Sequence, residues 1–268
     1  MSNLRVYGNA PYTVAVIYGG PGAPGTMAPV ARELSVDWGV LELLQTADSL
    51  EGQVHALRAV LEAHGDMPVT LIGSSWGAML SYMLAARYPG CVRKAILVGS
   101  GVFADHYAAG IQALRLSRLT AAERDDARRL MAALSDPAEQ HKDAIFARLG
   151  ALFERADAYD SLTLDSHALA CQYDSYQRVW PEVSALRASG QLLELGTRIA
   201  CPIACPIACP IVAIHGDYDP HPAAGVCDPL TRVVRDCRFI LLDRCGHLPW
   251  IERQARDTFF TALREELR

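Results

Sequence analysis

The stretch Gly73-Ser74-Ser75-Trp76-Gly77 constrains the fold more than any other part of the chain. It reads G-x-S-x-G. On its amino side runs Val69-Thr70-Leu71-Ile72, a short apolar, β-branched segment of the kind that makes a buried parallel strand. On its carboxyl side Ala78 to Ala86 is rich in helix formers and stops at Tyr88-Pro89-Gly90. A strand that turns sharply into a helix around this pattern is a nucleophile elbow, with small residues at its two outer positions. Ser75 is then expected to project its Oγ at the carboxyl edge of a sheet. The helix starting at Trp76 aims its free N–H groups at the same place.

A serine hydroxyl is a weak nucleophile until a base takes its proton and a third group orients that base. On such an elbow the partners follow in the order acid, then histidine. Pro210-Ile211-Val212-Ala213-Ile214 is another buried-strand run, and it opens into His215-Gly216-Asp217-Tyr218-Asp219-Pro220. Ligands of open parallel sheets gather at that strand edge. Asp219, deeper in the loop and followed by a rigid proline, is the expected acid; Asp217 is expected to make turn hydrogen bonds.

Arg238-Phe239-Ile240-Leu241-Leu242 is the next strand, and the loop after it carries Cys245-Gly246-His247-Leu248-Pro249. His247 is the expected base, between a glycine that permits an unusual backbone and a proline that stiffens the exit. The chain has 8 histidines. His55, His64, His141 and His167 fall in or near amphipathic helical stretches, and His106 leads into a different region. His215 and His221 lie beside the acid loop, where they are candidates to support it.

Acyl transfer also needs backbone donors for the developing oxyanion. The strand Thr13 to Tyr18 runs into Gly19-Gly20-Pro21-Gly22-Ala23-Pro24-Gly25, and the N–H groups of Gly20 and Trp76 are the expected pair. The same loop fits G-x-G-x-x-G from Gly20 to Gly25, with Glu42 about where a ribose-binding acid sits in an NAD(P)-binding oxidoreductase. Pro21 and Pro24 remove donors from the segment that must cradle a pyrophosphate. That reading also leaves the serine, the acid and the late histidine without a use, so it is disfavoured.

With these segments in place the chain resembles α/β-hydrolases of the proline iminopeptidase type. Their oxyanion loop reads H-G-G-P-G and their elbow G-G-S-W-G; here the matching stretches are Tyr18-Gly19-Gly20-Pro21-Gly22 and Gly73-Ser74-Ser75-Trp76-Gly77. Cys245-Gly246-His247 and Gly216-Asp217-Tyr218-Asp219 match the histidine and acid loops. Tyr18 replaces the leading histidine, and Ala47-Asp48-Ser49-Leu50 stands where that family has an R-G-x-G-x-S turn. The resemblance implies an α/β fold with a mostly parallel sheet flanked by helices and an inserted helical cap. It implies a serine hydrolase that cleaves a small ester or amide through an acyl-enzyme, with Ser75, Asp219 and His247 as triad. No metal or organic cofactor is implied. An esterase or lactonase, an acyltransferase on the same fold, and a binding protein with slow turnover are the other readings.

The expected core covers residues 1–102 and 205–268, with helices from Leu50 to His64 and from Ile251 to Leu267 where apolar residues recur at three- and four-residue spacing. From Phe103 to about Gly196 strand-like runs disappear and Ala, Arg, Leu, Glu and Asp dominate, so residues 103–200 are expected to form a helical cap, broken near Asp136-Pro137 and Trp180-Pro181. Within it Glu154, Asp157, Asp160, Asp165 and Asp174 fit solvated helix faces better than a substrate-amine site. Tyr173, Tyr176 and Trp180 fit packing of cap on core. Cys201 to Ile211 repeats Cys-Pro-Ile-Ala; its prolines forbid a helix, and the copies fit an extended linker better than a metal site.

Hydrophobic residues make up 51% of the chain and charged ones 21%, which is ordinary for a globular protein. A formal net charge of -5, with lysine only at positions 94 and 142, argues against a nucleic-acid surface. Met1 to Arg5 carries no signal-peptide pattern, and no apolar run approaches the ~18 residues of a membrane span. The expected setting is the cytoplasm of a bacterium and the expected partner a small molecule or short peptide.

Overall fold

The computed structural model describes residues 3–45, 47–162, 169–199 and 209–268. The Cys-Pro-Ile-Ala repeat as far as Ala208, and with it Asp165 and His167, lies outside the described residues. Seven strands form one sheet: β1 (Leu4–Tyr7), β2 (Val14–Ile17), β3 (Val40–Leu43), β4 (Val69–Ser74), β5 (Val92–Val98), β6 (Ile211–Gly216) and β7 (Cys237–Leu242). Their order is β1-β3-β2-β4-β5-β6-β7, with β1 antiparallel to β3 and every other pair parallel. Because β2, β4, β6 and β7 run the same way, the loops after all four meet at one edge.

Strands β2 to β6 are apolar on both sides because helices cover both faces. Ala15, Ile17, Leu41, Leu71, Leu97 and Ala213 face one core. Their alternating neighbours Val14, Val16, Val40, Ile72, Ile96 and Ile214 face the other. The second core is closed by α1 (Ala28–Leu34) and the last helix. The first is closed by α2 (Leu50–His64), whose N-terminus is capped by Ser49, and by α3 (Trp76–Arg87). Every residue of α3 from Trp76 to Ala86 is buried, so this helix is apolar all round and runs through the interior.

Among the described residues between β5 and β6 the regular elements are helices: α4 (Ile111–Arg118), α5 (Ala121–Ser135), α6 (Lys142–Asp157), α7 (Tyr173–Ala188), α8 (Gln191–Glu194) and α9 (Gly196–Ile199). Leu119, Leu130, Leu134, Leu149 and Leu152 give α5 and α6 a small core of their own, joined by Tyr173. Val179, Val183, Leu192 and Ile199 instead pack into the cluster on the sheet. After β6 come α10 (Ala224–Val233) and, beyond β7, α11 (Arg256–Leu267).

Two expectations about helices need correction. The break at Asp136-Pro137 is present, with Asp136 as the C-cap of α5, but α7 continues through Pro181. Proline forfeits one hydrogen bond and crowds the preceding turn; here Val179 and Val183, buried on either side of it, anchor both halves of the helix to the core. The apolar period from Ile251 to Leu267 suggests one helix, yet α11 starts at Arg256. Residues 251–253 pair instead with the segment after α6: the Leu162 N–H donates to the Ile251 carbonyl (2.6 Å) and the Arg253 N–H to the Asp160 carbonyl (3.0 Å).

Candidate active site

Ser75 lies at the turn from β4 into α3 with φ 51 and ψ -111, a conformation that a residue with a side chain adopts only under constraint. Its N–H donates to the Val98 carbonyl (2.9 Å), and its own carbonyl accepts from Ala78 (3.2 Å) and Met79 (3.4 Å). A methyl group on Gly73 would collide with the Gly77 carbonyl, and one on Gly77 with the carbonyls of Ile17 and Tyr18. The strand, the turn and the first helical turn are in backbone contact, which is why glycine is required at both outer positions.

The loops after β6 and β7 are tied together. Asp217 Oδ1 accepts the Cys245 N–H (3.0 Å), and the Tyr218 N–H donates to the Cys245 carbonyl (2.9 Å). Asp217 thus fastens one loop to the other, where turn hydrogen bonds within its own loop are expected. Asp219 is buried, and its Oδ2 lies 2.7 Å from His247 Nδ1. Its Oδ1 accepts two hydrogen bonds from His221, one from the backbone N–H (2.9 Å) and one from Nδ1 (2.8 Å). His215 Nε2 stands 3.4 Å from Oδ2 and donates to the His221 carbonyl (2.8 Å).

Burial opposes the charge on Asp219, but the three imidazoles around it, His247 foremost, hold its carboxyl well below the usual carboxylate range. The carboxylate is therefore acceptor-only, and each ring nitrogen facing it carries a hydrogen. That fixes His247 as the Nδ1–H tautomer when neutral and leaves Nε2 as a free base. Burial pulls the His247 pKa down, while the Asp219 charge and hydrogen bond push it up more, so the net direction is upward. For His221 burial wins, and its pKa falls to about 4.

Asp219, His221 and His247 bring their ligand-type atoms within 4.8 Å of one another, a grouping that also suits a metal ion. The pairwise hydrogen bonds account for it without one.

Ser75 and His247 line the same cavity of about 560 Å³, together with Gly19, Gly20 and one face of α6. Gly20 has φ +70, open only at low cost to glycine, and a methyl on Gly19 would touch Ser75 Cβ at 3.0 Å. Among the described residues the N–H groups of Gly20 and Trp76 have no hydrogen-bond partner. Tyr18, where the resembled family has histidine, is buried and donates its hydroxyl to the Gln45 carbonyl (3.0 Å).

Several contacts around the site carry no sequence signal, and Asp157 and Glu154, expected on solvated helix faces, line the cavity, Asp157 buried. Glu252 is fully buried, and its carboxylate accepts the N–H groups of Gly246, Tyr159 and Asp160, each at 2.8 Å. It fastens the histidine loop to the end of α6. Asp157 takes the Arg115 guanidinium on both carboxylate oxygens (2.7 and 2.5 Å), while its carbonyl accepts the His247 N–H (3.0 Å). Neither spacing nor residue type pairs a residue on α4 with one on α6 in advance. Glu154 also faces the cavity, and burial pushes its carboxyl pKa up, with Asp157 adding to the effect.

Tyr173, Tyr176 and Trp180 stack on one another, and Phe146 packs over the first two; the cavity is lined by Phe146 and Phe153 instead. The loop from Gly20 to Gly25 is covered, not open: the Gln172 N–H donates to the Gly22 carbonyl and the Leu169 N–H to the Pro24 carbonyl (both 2.8 Å). Glu42, the ribose acid of the dinucleotide reading, is buried and bonded by the Tyr7 hydroxyl (2.8 Å) and Arg5 (3.4 Å).

Residues 34–254 match the family model described as alpha/beta hydrolase fold. The chain is an α/β-hydrolase-fold protein. Solved structures agree on the architecture of this α/β hydrolase. VinJ superposes with a TM-score of 0.65 at 17% identity, covering 98% of this chain and 93% of that one. A proline iminopeptidase from Mycobacterium smegmatis gives 0.61 at 18% identity over 98% and 93%. An enol-lactonase from Burkholderia xenovorans LB400 gives 0.60 at 16% over 98% and 95%. A search of curated proteins finds no match. Among the described residues of the α/β hydrolase no helix is long and apolar enough to cross a membrane.

Proposed function

We propose that this α/β hydrolase cleaves a small ester or amide by forming an acyl-enzyme on Ser75. Ser75 Oγ attacks the carbonyl carbon as His247 Nε2 takes its proton. The carbonyl π pair moves onto oxygen, which the N–H groups of Gly20 and Trp76 stabilise. The oxyanion collapses, the bond to the leaving group breaks, and His247 returns its proton to that group. Water, activated by the same imidazole, then releases the acid. Asp219 holds His247 in the required tautomer and stabilises its cation. Residues 103–200 act as the cap, with α6 as the roof that shields the intermediate from bulk water.

The observation that carries this reading is the buried Asp219–His247 hydrogen bond, made at the rim of a cavity that Ser75 shares. The finer assignment is to an aminopeptidase of the proline iminopeptidase type. Its support is a carboxylate at Glu154 that faces the cavity with no protein cation bonded to it among the described residues, whereas Asp157 is already taken up by Arg115. An unpaired acid beside an acyl-transfer site favours a substrate with a free amine. The apolar lining by Phe146, Phe153 and Leu248 favours the second reading, an esterase or lactonase with a small neutral substrate.

Parallel assays of a proline arylamide and of short acyl esters decide between them. Turnover of the arylamide, lost in Glu154→Gln while ester cleavage persists, supports the aminopeptidase. Ester cleavage alone, indifferent to Glu154→Gln, assigns the esterase.

A further inference from the structure

Asp219 receives two side-chain imidazoles, one on each oxygen, and the reaction described above uses only one of them. His247 takes Oδ2; His221 takes Oδ1 through its ring nitrogen in addition to its backbone N–H. The two rings stack, with centroids 4.6 Å apart and planes 30° from parallel. The His221 side chain is 13% exposed and that of Asp219 is fully buried, so no bulk water competes at the carboxylate. Pro220 between Asp219 and His221 stiffens the link.

We propose that His221 is a positioning residue of the site, whose ring N–H pins Oδ1 of Asp219 so that Oδ2 stays directed at His247. The inference rests on the triad assigned above. A carboxylate held at one oxygen by a single backbone N–H can still turn about its terminal bond, which is a soft torsion. A second donor on the same oxygen removes that freedom. It also draws charge away from Oδ2, so the ring N–H moderates the basicity of His247.

The groups that face this pair come from every neighbouring element. Asp219 and His247 lie on its two loops. His215 on β6 bonds the His221 carbonyl, and the Arg115 guanidinium on α4 opposes protonation of both imidazoles. Asp157 and Glu154 on α6 act on His247 in the opposite sense. His221 is neutral at neutral pH, since its pKa lies at about 4. It therefore donates from Nδ1 with no charge of its own.

The test is the pH dependence of labelling of the full chain by a fluorophosphonate. In this reaction an Oγ–P bond forms, the P–F bond breaks, fluoride leaves and the hydroxyl proton passes to His247. His221→Phe keeps a ring beside His247 but has no donor; His221→Asn keeps a donor near the position of Nδ1 without the ring. The expected result is that His221→Phe labels about tenfold more slowly at its plateau, as for a modest misplacement of a catalytic group. Its acid limb moves upward by about half a pH unit, the size of one neutral hydrogen bond. His221→Asn recovers most of the rate and the original midpoint.

The midpoint is read over the pH range in which circular dichroism shows each variant fully folded, so poor folding of a variant does not obscure it. A His221→Phe protein with wild-type rate and midpoint overturns the proposal. So does a His221→Asn protein as impaired as His221→Phe, because ring packing and not the donor is then what matters. Ser75→Ala run alongside separates the two levels: if it still labels, the triad assignment fails, whatever His221 does.

Discussion

Asp219 Oδ2 and His247 Nδ1 lie 2.7 Å apart although 28 residues separate them in the chain. They meet because β6 and β7 are parallel neighbours, with His215 paired to Leu241 and Gly216 to Leu242, so that their following loops start level with each other. A carboxylate at this place fixes the imidazole tautomer, and an amide does not. Asp219→Asn is expected to cut kcat by about 10⁴-fold, the cost of the wrong tautomer. Asp217→Asn, which only loosens the bond to the Cys245 N–H, costs far less. Steady-state kinetics on one ester compares the two, and the reverse order moves the acid to Asp217.

The pH profile follows from the upward direction of the His247 pKa. The imidazole works as a base only when it has lost its proton, and its pKa stands above the ordinary 6.5 because Asp219 outweighs burial. kcat/KM reports the free enzyme. It is expected to fall as pH drops, with a midpoint above 6.5. A midpoint clearly below 6.5 contradicts the electrostatic account of the site.

Stability responds to acid through His221. Its folded pKa of about 4 lies below the 6.5 of an unperturbed histidine, so between those values the unfolded chain binds a proton that the folded chain refuses. Stability therefore falls as pH falls from 6.5 to about 4. Asp219, depressed in the fold, adds a loss below the ordinary carboxylate range. His247 has the opposite sign: its contribution is complete below 6.5 and is lost as pH rises through its folded pKa. Urea unfolding at a series of pH values is expected to show a shallower slope between 6.5 and 4 in His221→Asn than in the wild type.

Glu252 carries three backbone donors on one buried carboxylate. Glu252→Gln keeps the shape but turns an amide N–H toward at least one of them. The expected cost is about 2–3 kcal/mol in urea unfolding, typical of a hydrogen bond to a charged acceptor left unmade. kcat is expected to fall with it, because the Gly246 N–H fixes the loop that holds His247. A fully stable and active variant refutes a positioning role.

Much of this arrangement is legible in the chain before any coordinates. The apolar runs ending at Ile17, Ile72 and Ile214 mark strands buried on both faces, the run ending at Leu242 marks the edge strand, and the loop after each carries a residue that the chemistry needs. Local chemistry writes itself into the sequence: Gly73 and Gly77 are small because two backbones touch there, and α2 begins and ends where its apolar period does.

What the sequence hides is set by tertiary contact. α7 runs through Pro181 because packing of Val179 and Val183 outweighs one lost hydrogen bond. Ile251 to Ala255 has the period of a helix, but Glu252 is spent on the histidine loop. The Arg115–Asp157 pair joins elements whose mutual approach no spacing rule encodes, whereas the place of His221 beside Asp219 is legible and only its hydrogen bond is not.

The nucleophile is the central claim, and active-site labelling measures it most directly. Wild-type protein treated with a fluorophosphonate at neutral pH is expected to gain one adduct by mass spectrometry, located to the peptide holding Ser75. Ser75→Ala, with an unchanged circular dichroism spectrum, is expected to gain none. A folded Ser75→Ala protein that labels as fast as the wild type contradicts the account.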